Sequence, residues 1–163
     1  MIEYFGNIEN FWSNDLASHT YVKTVPLSSC SNLSHVDTKY YQSGNLYQSF
    51  NDELPNAKMF CNALGVTNDA SVSWTDIQPN LILPTHRDTF YTLRTKNNVG
   101  IEKCYRYLIF LEDYVFGQYV GFETKSITDW KNGDVWMFDS TEMHFAVNAS
   151  NNSLHTCQVS TFK

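Results

Sequence analysis

Five short runs in the C-terminal half of the chain decide the fold: CYRYLIFL (104–111), GQYVGFE (117–123), DVWMFD (134–139), MHFAVNA (143–149) and LHTCQVSTF (154–162). They are rich in aromatic and β-branched residues, and runs of this length and composition predict β-strands. Three further runs precede them: SVSWTDI (71–77), LILP (81–84) and DTFYTLR (88–94). Short strands in this number, separated by turns, predict a mainly β fold of the sandwich or jelly-roll type.

The breaks between these runs carry turn chemistry. Residues 78–80 read QPN, residues 96–100 read KNNVG, residues 131–134 read KNGD and residues 151–153 read NNS. Asn and Gly adopt the left-handed backbone conformation more readily than other residues do, so they are typical of tight connections. The breaks therefore support the division into strands.

The first part of the chain has a different texture. Residues 1 to about 50 are polar, rich in Ser and Asn, and show neither a helical nor a strand period. We predict a single domain over residues 1–163, in which an irregular N-terminal segment (1–69) wraps a jelly-roll core (70–163). Within that segment one short helix is predicted near residues 53–64, because the apolar residues before Gly65 have helical spacing.

Composition limits the possible partners and location. A chain of 163 residues with 42% hydrophobic residues can bury one core, while a net charge of -6 and only three arginines disfavour nucleic acid as the ligand. The first residues lack a basic region followed by a long apolar run, so we expect no signal peptide, no membrane contact and a cytoplasmic location. The four cysteines match no zinc or redox spacing, which indicates free thiols.

Three residues form the candidate metal site. His86 and Asp88 stand at positions i and i + 2, which on a strand places an imidazole and a carboxylate on one face. His144 lies 58 residues later (144 - 86), at the start of another predicted strand. Two imidazoles and one carboxylate make the facial triad of non-haem Fe(II) sites. The triad leaves adjacent positions open, where a co-substrate and O2 can meet.

The surroundings of these residues resemble a known superfamily. In order along the chain, LPTHRDTFYTLR (83–94), RYLIFL (106–111), WKNGDVWMFD (130–139) and MHFAVN (143–148) resemble the Fe(II)/2-oxoglutarate-dependent dioxygenases over roughly residues 80–163. The chain looks most like the short hydroxylases of the aspartyl/asparaginyl and prolyl types. In those enzymes a Gly-Asp turn feeds a strand ending in Phe-Asp, followed by the distal histidine and an asparagine; here these are Gly133, Asp134, Phe138, Asp139, His144 and Asn148.

The resemblance implies both a fold and an activity. The fold is a cupin-like double-stranded β-helix, here with one or two short N-terminal helices, and His86, Asp88 and His144 are the iron ligands. The co-substrates are 2-oxoglutarate and O2, which become succinate and CO2 while a C–H bond of the substrate is hydroxylated. The substrate class expected from the non-basic composition is a small molecule, an amino acid or a peptide.

One residue that the resemblance leads us to expect is missing. The family places an arginine on the last strand, where its guanidinium binds the far carboxylate of 2-oxoglutarate. This chain has Leu154 and His155 there, and no arginine or lysine lies between Lys131 and Lys163. Alternation puts His155 on one face with Cys157 and Val159, and we predict that this face looks into the pocket.

Other residues are candidates for the missing anchor. Arg94 has the same parity as His86 and Asp88 if that strand continues without a bulge, and Arg106 lies in the run CYRYLIFL. Either guanidinium supplies the permanent charge that an imidazole lacks. Tyr91 and Tyr105 carry phenol groups that can donate to the same carboxylate.

Three functions remain open at this point. The first is an Fe(II)- and 2-oxoglutarate-dependent hydroxylase. The second is a cupin-like metal-dependent enzyme that does not use 2-oxoglutarate, which the missing arginine allows. The third is a non-catalytic jelly-roll binding module. The sequence selects neither the substrate nor an oligomeric state.

Overall fold

Two antiparallel β-sheets make up the computed structural model, which describes residues 1–37 and 44–163. The strands are β1 (Ile2–Asn7), β2 (Lys23–Pro26), β3 (Asn45–Phe50), β4 (Ser71–Ile77), β5 (Leu81–His86), β6 (Cys104–Phe110), β7 (Gln118–Phe122), β8 (Ser126–Ile127), β9 (Asp134–Asp139), β10 (His144–Asn148) and β11 (Leu154–Phe162). The larger sheet has the order β1-β9-β6-β11-β4-β3-β2, and the smaller has the order β5-β10-β7-β8. The fold is the mainly β jelly roll, or double-stranded β-helix, that the sequence predicts.

Three short α-helices accompany the sheets in the described residues: α1 (Ser13–Ser18), α2 (Ala57–Ala63) and α3 (Tyr91–Asn97). Helix α2 confirms the helix predicted near residues 53–64, and a 3-10 turn at Asn51–Glu53 precedes it. No helix in the described part of the chain is long and apolar enough to cross a membrane.

Helix α3 corrects the prediction of a strand at DTFYTLR (88–94). Phe90 before the helix and Asn98 after it adopt left-handed conformations, with φ of 49° and 51°. Phe90 and Leu93 are both buried, together with Cys104. A spacing of three residues is helical and not strand-like, so this short run carries a helical pattern under a strand-like composition.

The N-terminal part also differs from the prediction of an irregular segment. Strand β1 pairs with β9 and forms one edge of the larger sheet. Strands β2 and β3 pair with each other, and β3 pairs with β4, so β2 forms the opposite edge. Residues 38–43, which belong to the same predicted segment, lie outside the described residues. Both edges of the larger sheet thus come from the first 50 residues.

The larger sheet is covered on both of its faces. One face packs against α1, α2 and their flanking residues in a core that contains Trp12, Phe60 and Trp74. The other face packs against the smaller sheet in a core that contains Phe110 and Phe138. A central strand of this sheet therefore buries its side chains in both directions, and alternation alone cannot say which direction leads to a cavity.

Candidate metal centre

A cavity of about 260 Å³ lies between the two sheets. Apolar side chains form most of its wall: Val25, Leu46, Ile77, Leu83, Leu108, Val120, Phe138, Phe145, Ala146 and Leu154. Polar side chains form two groups: His86, Asp88, His144 and Arg106 in the first, and Gln48, Thr75, Thr156 and Gln158 in the second. Pockets for drug-sized ligands measure about 300–1,000 Å³. This cavity therefore suits a small molecule.

Strand pairing brings the two histidines together. His86 at the end of β5 lies opposite His144 at the start of β10, and their ring centroids are 4.2 Å apart. The register of this pair shifts between His144 and Ala146, because Pro84 and Thr85 together oppose a single residue of β10. Pro84 has no N–H to give to the ladder, and an edge strand such as β5 tolerates a bulge there. The bulge sets the register that places His86 against His144.

Asp88 follows β5 in a loop and turns back toward the histidines. Its side chain is 8% exposed, and its Oδ2 lies 3.8 Å from His144 Nε2. Asp88 Oδ2 has no hydrogen-bond partner among the described residues. One ligand atom from each of His86, Asp88 and His144 lies within 4.8 Å of the others. The structure brings the three residues together, but the predicted route is wrong for Asp88: β5 ends at His86, so Asp88 reaches the site from a loop and not from one face of a shared strand.

Backbone carbonyls orient both imidazoles. His86 Nδ1 lies 2.9 Å from the carbonyl oxygen of Pro84, and His144 Nδ1 lies 3.3 Å from that of Glu142. A carbonyl oxygen only accepts hydrogen bonds, so each Nδ1 carries the proton and donates it. Each Nε2 is left with a free lone pair. This is how proteins commonly fix a histidine that binds a metal.

Burial and neighbouring charges together set the protonation states of the three groups. Burial lowers the pKa of His144 to about 4, against the opposing effect of Asp88, and it also lowers the pKa of His86. Burial alone raises the pKa of Asp88, but Arg106 and the two histidines outweigh it and leave that pKa below its usual value. At neutral pH the site therefore holds two neutral imidazoles and one carboxylate, the protonation states that metal ligands need.

These residues fit a divalent transition metal. Two imidazole nitrogens and one carboxylate oxygen suit non-haem Fe(II), and bound metal gives the buried Asp88 Oδ2 the partner that it lacks. Aromatic rings close the site around His144: Phe122 stacks on its ring at 5.5 Å, and the Phe138 ring lies 4.8 Å away. Asp88 and His144 are buried here, and burial strengthens the electrostatic contacts between them.

Arg106 lines the cavity, as expected for a candidate anchor, and is already engaged. Its Nη1 donates to Asp88 Oδ1 at 2.9 Å and its Nε donates to Ser160 Oγ at 2.9 Å. The guanidinium also lies over the Phe90 ring, 5.4 Å from its centroid. Arg106 is the only cationic side chain among the described residues that line the cavity. In this structure the charge of Arg106 is paired with that of Asp88.

Two other candidate anchors lie outside the cavity. Arg94 belongs to α3, where its Nη1 donates to the carbonyl of Thr89, so the assumption that its strand continues is wrong. Tyr91 is 72% exposed at the start of α3. It borders a second cavity of about 250 Å³, which shares Asp88 and Arg106 with the first. Neither residue lines the first cavity.

His155 lies on the opposite face of β11 from the one predicted. Its Nδ1 lies 2.9 Å from Glu112 Oε2, and its ring stacks on that of Tyr21. The prediction is wrong because Cys157 and Val159, which share this face, pack in the core on the side of α1 and α2. Thr156 and Gln158, on the other face of β11, line the cavity. The sequence signal for this was the pair of polar residues in a buried strand.

No family model matches the chain, and no curated protein matches its sequence. Similar solved structures include a predicted oxalate decarboxylase from Thermotoga maritima (TM-score 0.47, 17% identity, 74% of this chain and 83% of that one). KdgF from a Halomonas species has a TM-score of 0.44 at 13% identity, over 72% of this chain and 80% of that one. A cupin 2 conserved barrel domain protein from Salinispora arenicola has a TM-score of 0.43 at 14% identity, over 71% and 74%. Function therefore has to be inferred from the cavity itself.

Proposed function

We propose that this protein is a mononuclear non-haem Fe(II) oxygenase that uses 2-oxoglutarate and O2 to hydroxylate a C–H bond of a small molecule, amino acid or peptide. One observation carries the proposal: one ligand atom from each of His86, Asp88 and His144 lies within 4.8 Å of the others, and Asp88 Oδ2 is buried without a hydrogen-bond partner among the described residues. Iron bound there supplies the redox chemistry that turns 2-oxoglutarate into succinate and CO2, with one atom of O2 entering succinate and the other the substrate.

The charges of the site support an anionic co-substrate. A divalent ion and Arg106 bring three positive charges, Asp88 brings one negative charge, and the two imidazoles are neutral. The net charge at the site is then positive, and an uncompensated buried charge is costly. The carboxylate of a 2-oxo acid bound at the metal reduces that charge.

The chain's own residues orient the metal ligands and shape the space for the co-substrate. The backbone carbonyls of Pro84 and Glu142 keep both Nε2 atoms directed at the ligand point, and Arg106 keeps Asp88 in place. The first cavity has room for a small co-substrate, and apolar side chains form most of its wall. We place the substrate in the second cavity, which borders Asp88 and offers hydroxyl and aromatic side chains: Phe50, Ser71, Thr89, Tyr91 and Thr92.

A second candidate keeps the metal and omits 2-oxoglutarate. The observation that favours it is the neutral lining of β11, where Thr156 and Gln158 face the cavity and the only cation in the described lining is bound to Asp88. An enzyme of this kind consumes O2 without producing succinate. Measuring succinate in a complete reaction mixture separates the two candidates.

The test is an anaerobic titration with Fe(II) and then with 2-oxoglutarate. Chelation of the iron by 2-oxoglutarate produces a weak visible charge-transfer band, which we expect in the wild type and not in Asp88→Ala. Asp52→Ala removes an exposed carboxylate and is the matched control that keeps the band. Iron binding without a band supports the second candidate. Failure to retain any transition metal contradicts both and leaves a non-catalytic binding module.

A further inference from the structure

The second polar group of the cavity forms a hydrogen-bonded cluster, which consists of Gln48, Thr75, Thr156 and Gln158. Hydroxyls of Ser73 and Thr75 donate to Gln158 Oε1 at 2.9 and 2.8 Å. These two bonds fix the side-chain amide of Gln158, whose Nε2 then donates to Thr156 Oγ1 at 2.6 Å. Gln48 Nε2 donates to Thr75 Oγ1 at 3.4 Å. The members of the cluster come from three neighbouring strands, β3, β4 and β11.

Several hydrogen-bonding groups of this cluster are left over for a ligand. Each amide Nε2 has two hydrogens, and the bonds within the described residues use one on Gln48 and one on Gln158. The Thr156 hydroxyl accepts from Gln158 and keeps its own hydrogen to donate. Gln48 Oε1 accepts no hydrogen bond from the described residues and is available as an acceptor. The cluster therefore offers three uncharged donors and one acceptor.

The cluster and the metal centre are neighbours along the inner face of β11. Ser160, which accepts from Arg106, is followed on the same face by Gln158 and then by Thr156. Successive positions on one face of a strand are about 7 Å apart. Leu108 lies opposite Gln158 and lines the wall between the two polar groups. The metal ligands and the cluster line the same cavity, so a short-chain 2-oxo acid held by the metal at one end can extend towards the cluster.

We propose that this cluster is the subsite for the far end of the co-substrate and that it recognises that end by uncharged hydrogen bonds. The inference rests on the proposed function. A carboxylate at the far end accepts hydrogen bonds from the three donors of the cluster. A carboxamide accepts from those donors through its oxygen and donates its N–H to Gln48 Oε1. The protein then accepts the 5-carboxamide analogue of 2-oxoglutarate nearly as well as 2-oxoglutarate. A guanidinium anchor behaves differently, because it offers donors and a charge but no acceptor.

The experiment compares the two acids by anaerobic titration of the Fe(II)-loaded protein, following the visible band. In the wild type we expect dissociation constants for 2-oxoglutarate and its 5-carboxamide that agree within about tenfold. Discrimination against the carboxamide by about a hundredfold or more overturns the inference, because it shows that a cation reads the far end.

Variants of the cluster make the test independent of that ratio. Gln158→Glu places a negative charge at the subsite and is expected to weaken 2-oxoglutarate at least about tenfold more than the carboxamide. Thr156→Val removes a donor and is expected to weaken both acids. Gln78→Glu makes the same change at an exposed position and is the matched control. If the dissociation constants are unchanged in both cluster variants but the band still forms, the subsite is overturned and the proposed function stands. If iron binds but neither acid produces the band, the subsite and the proposed function are both overturned.

Discussion

Arg106 holds one oxygen of Asp88 and leaves the other free. Its Nη1 binds Oδ1, while Oδ2 stays unpaired and faces His144 Nε2. Arg106 is itself held by Ser160 and by the ring of Phe90, so the carboxylate has little freedom to rotate. A metal at the site therefore meets a single, oriented oxygen from Asp88. We infer that Arg106 positions this ligand in addition to adding charge.

Replacing Arg106 tests that positioning role. Removing one partner of a buried ion pair leaves the other charge uncompensated, so Arg106→Gln is expected to lower the free energy of unfolding of the metal-free protein by about 3 kcal/mol. Bound metal gives Asp88 a new partner, and the loss is expected to shrink when Mn(II) is saturating. Urea denaturation with chelator and with Mn(II) measures both values, and Arg87→Gln, at an exposed arginine, is the control. An equal loss in both conditions contradicts the role.

Single residues differ in how far the sequence reveals them. The grouping of His86, Asp88 and His144 follows from their types and from the resemblance to the dioxygenases, whereas the spacing argument assumed a strand that ends at His86. Arg106 was one of several candidate anchors, and only the structure shows that it lines the cavity. The face of His155 does not follow from the sequence, because β11 is buried on both sides and its more apolar side packs against the helical layer. The roles of Gln48 and Thr75 depend on cross-strand pairing of β3 with β4, which leaves no local signature.

At the scale of elements, the turn at Gly133 joins three strands of the larger sheet. Gly133 N–H donates to the carbonyl of Phe110 at the end of β6, and its own carbonyl accepts from Ile8 N–H just after β1. The residue has φ of 89° and leads directly into β9. A Cβ at this position would lie 2.2 Å from the backbone oxygen of Ile8. Only glycine allows this approach.

Two glycine substitutions separate backbone strain from close approach. Gly65 also has positive φ, at 67°, but a Cβ there meets no atom within 4 Å. We expect Gly65→Ala to lower the free energy of unfolding by about 1 kcal/mol and Gly133→Ala by about 3 kcal/mol or more. Chemical denaturation of the two variants measures the difference. Equal losses would mean that the contact with Ile8 contributes nothing beyond the conformational cost.

Turns and strands of the second half were predictable because their chemistry is local. Asn80, Asn98 and Gly133 have positive φ inside three of the predicted turns. Helix α3 was not predictable from the composition of its run, since Phe, Tyr and Thr favour strands and only the left-handed residues at its two ends stop the strand. Asn148 is another local surprise, since its amide donates to the carbonyls of Ile77 and Asn152 and serves the packing of β10 instead of the site.

At the scale of the whole molecule, the larger sheet separates the core beside α1 and α2 from the cavity that holds the candidate metal site. The N-terminal strands complete this sheet at both edges, and their partners lie far along the chain: Ile2 pairs with Phe138. Long-range pairing of a mostly exposed strand such as β1 leaves no alternation to find, so the sequence favours an irregular segment there. The central C-terminal strands of this sheet bury side chains on both faces, in two hydrophobic cores. They therefore carry a hydrophobic pattern that makes them recognisable.

Because the sheet lies between them, the two layers are expected to respond separately to substitution. Phe60→Leu changes a side chain that packs on Trp12 and Trp74, on the face away from the cavity, and is expected to cost about 1 kcal/mol of stability. Thr156→Val removes the hydroxyl that Gln158 binds and is expected to cost about as much. We expect only the second variant to weaken 2-oxoglutarate binding in the anaerobic titration. A matching loss of affinity in Phe60→Leu would show that the sheet transmits strain between its faces.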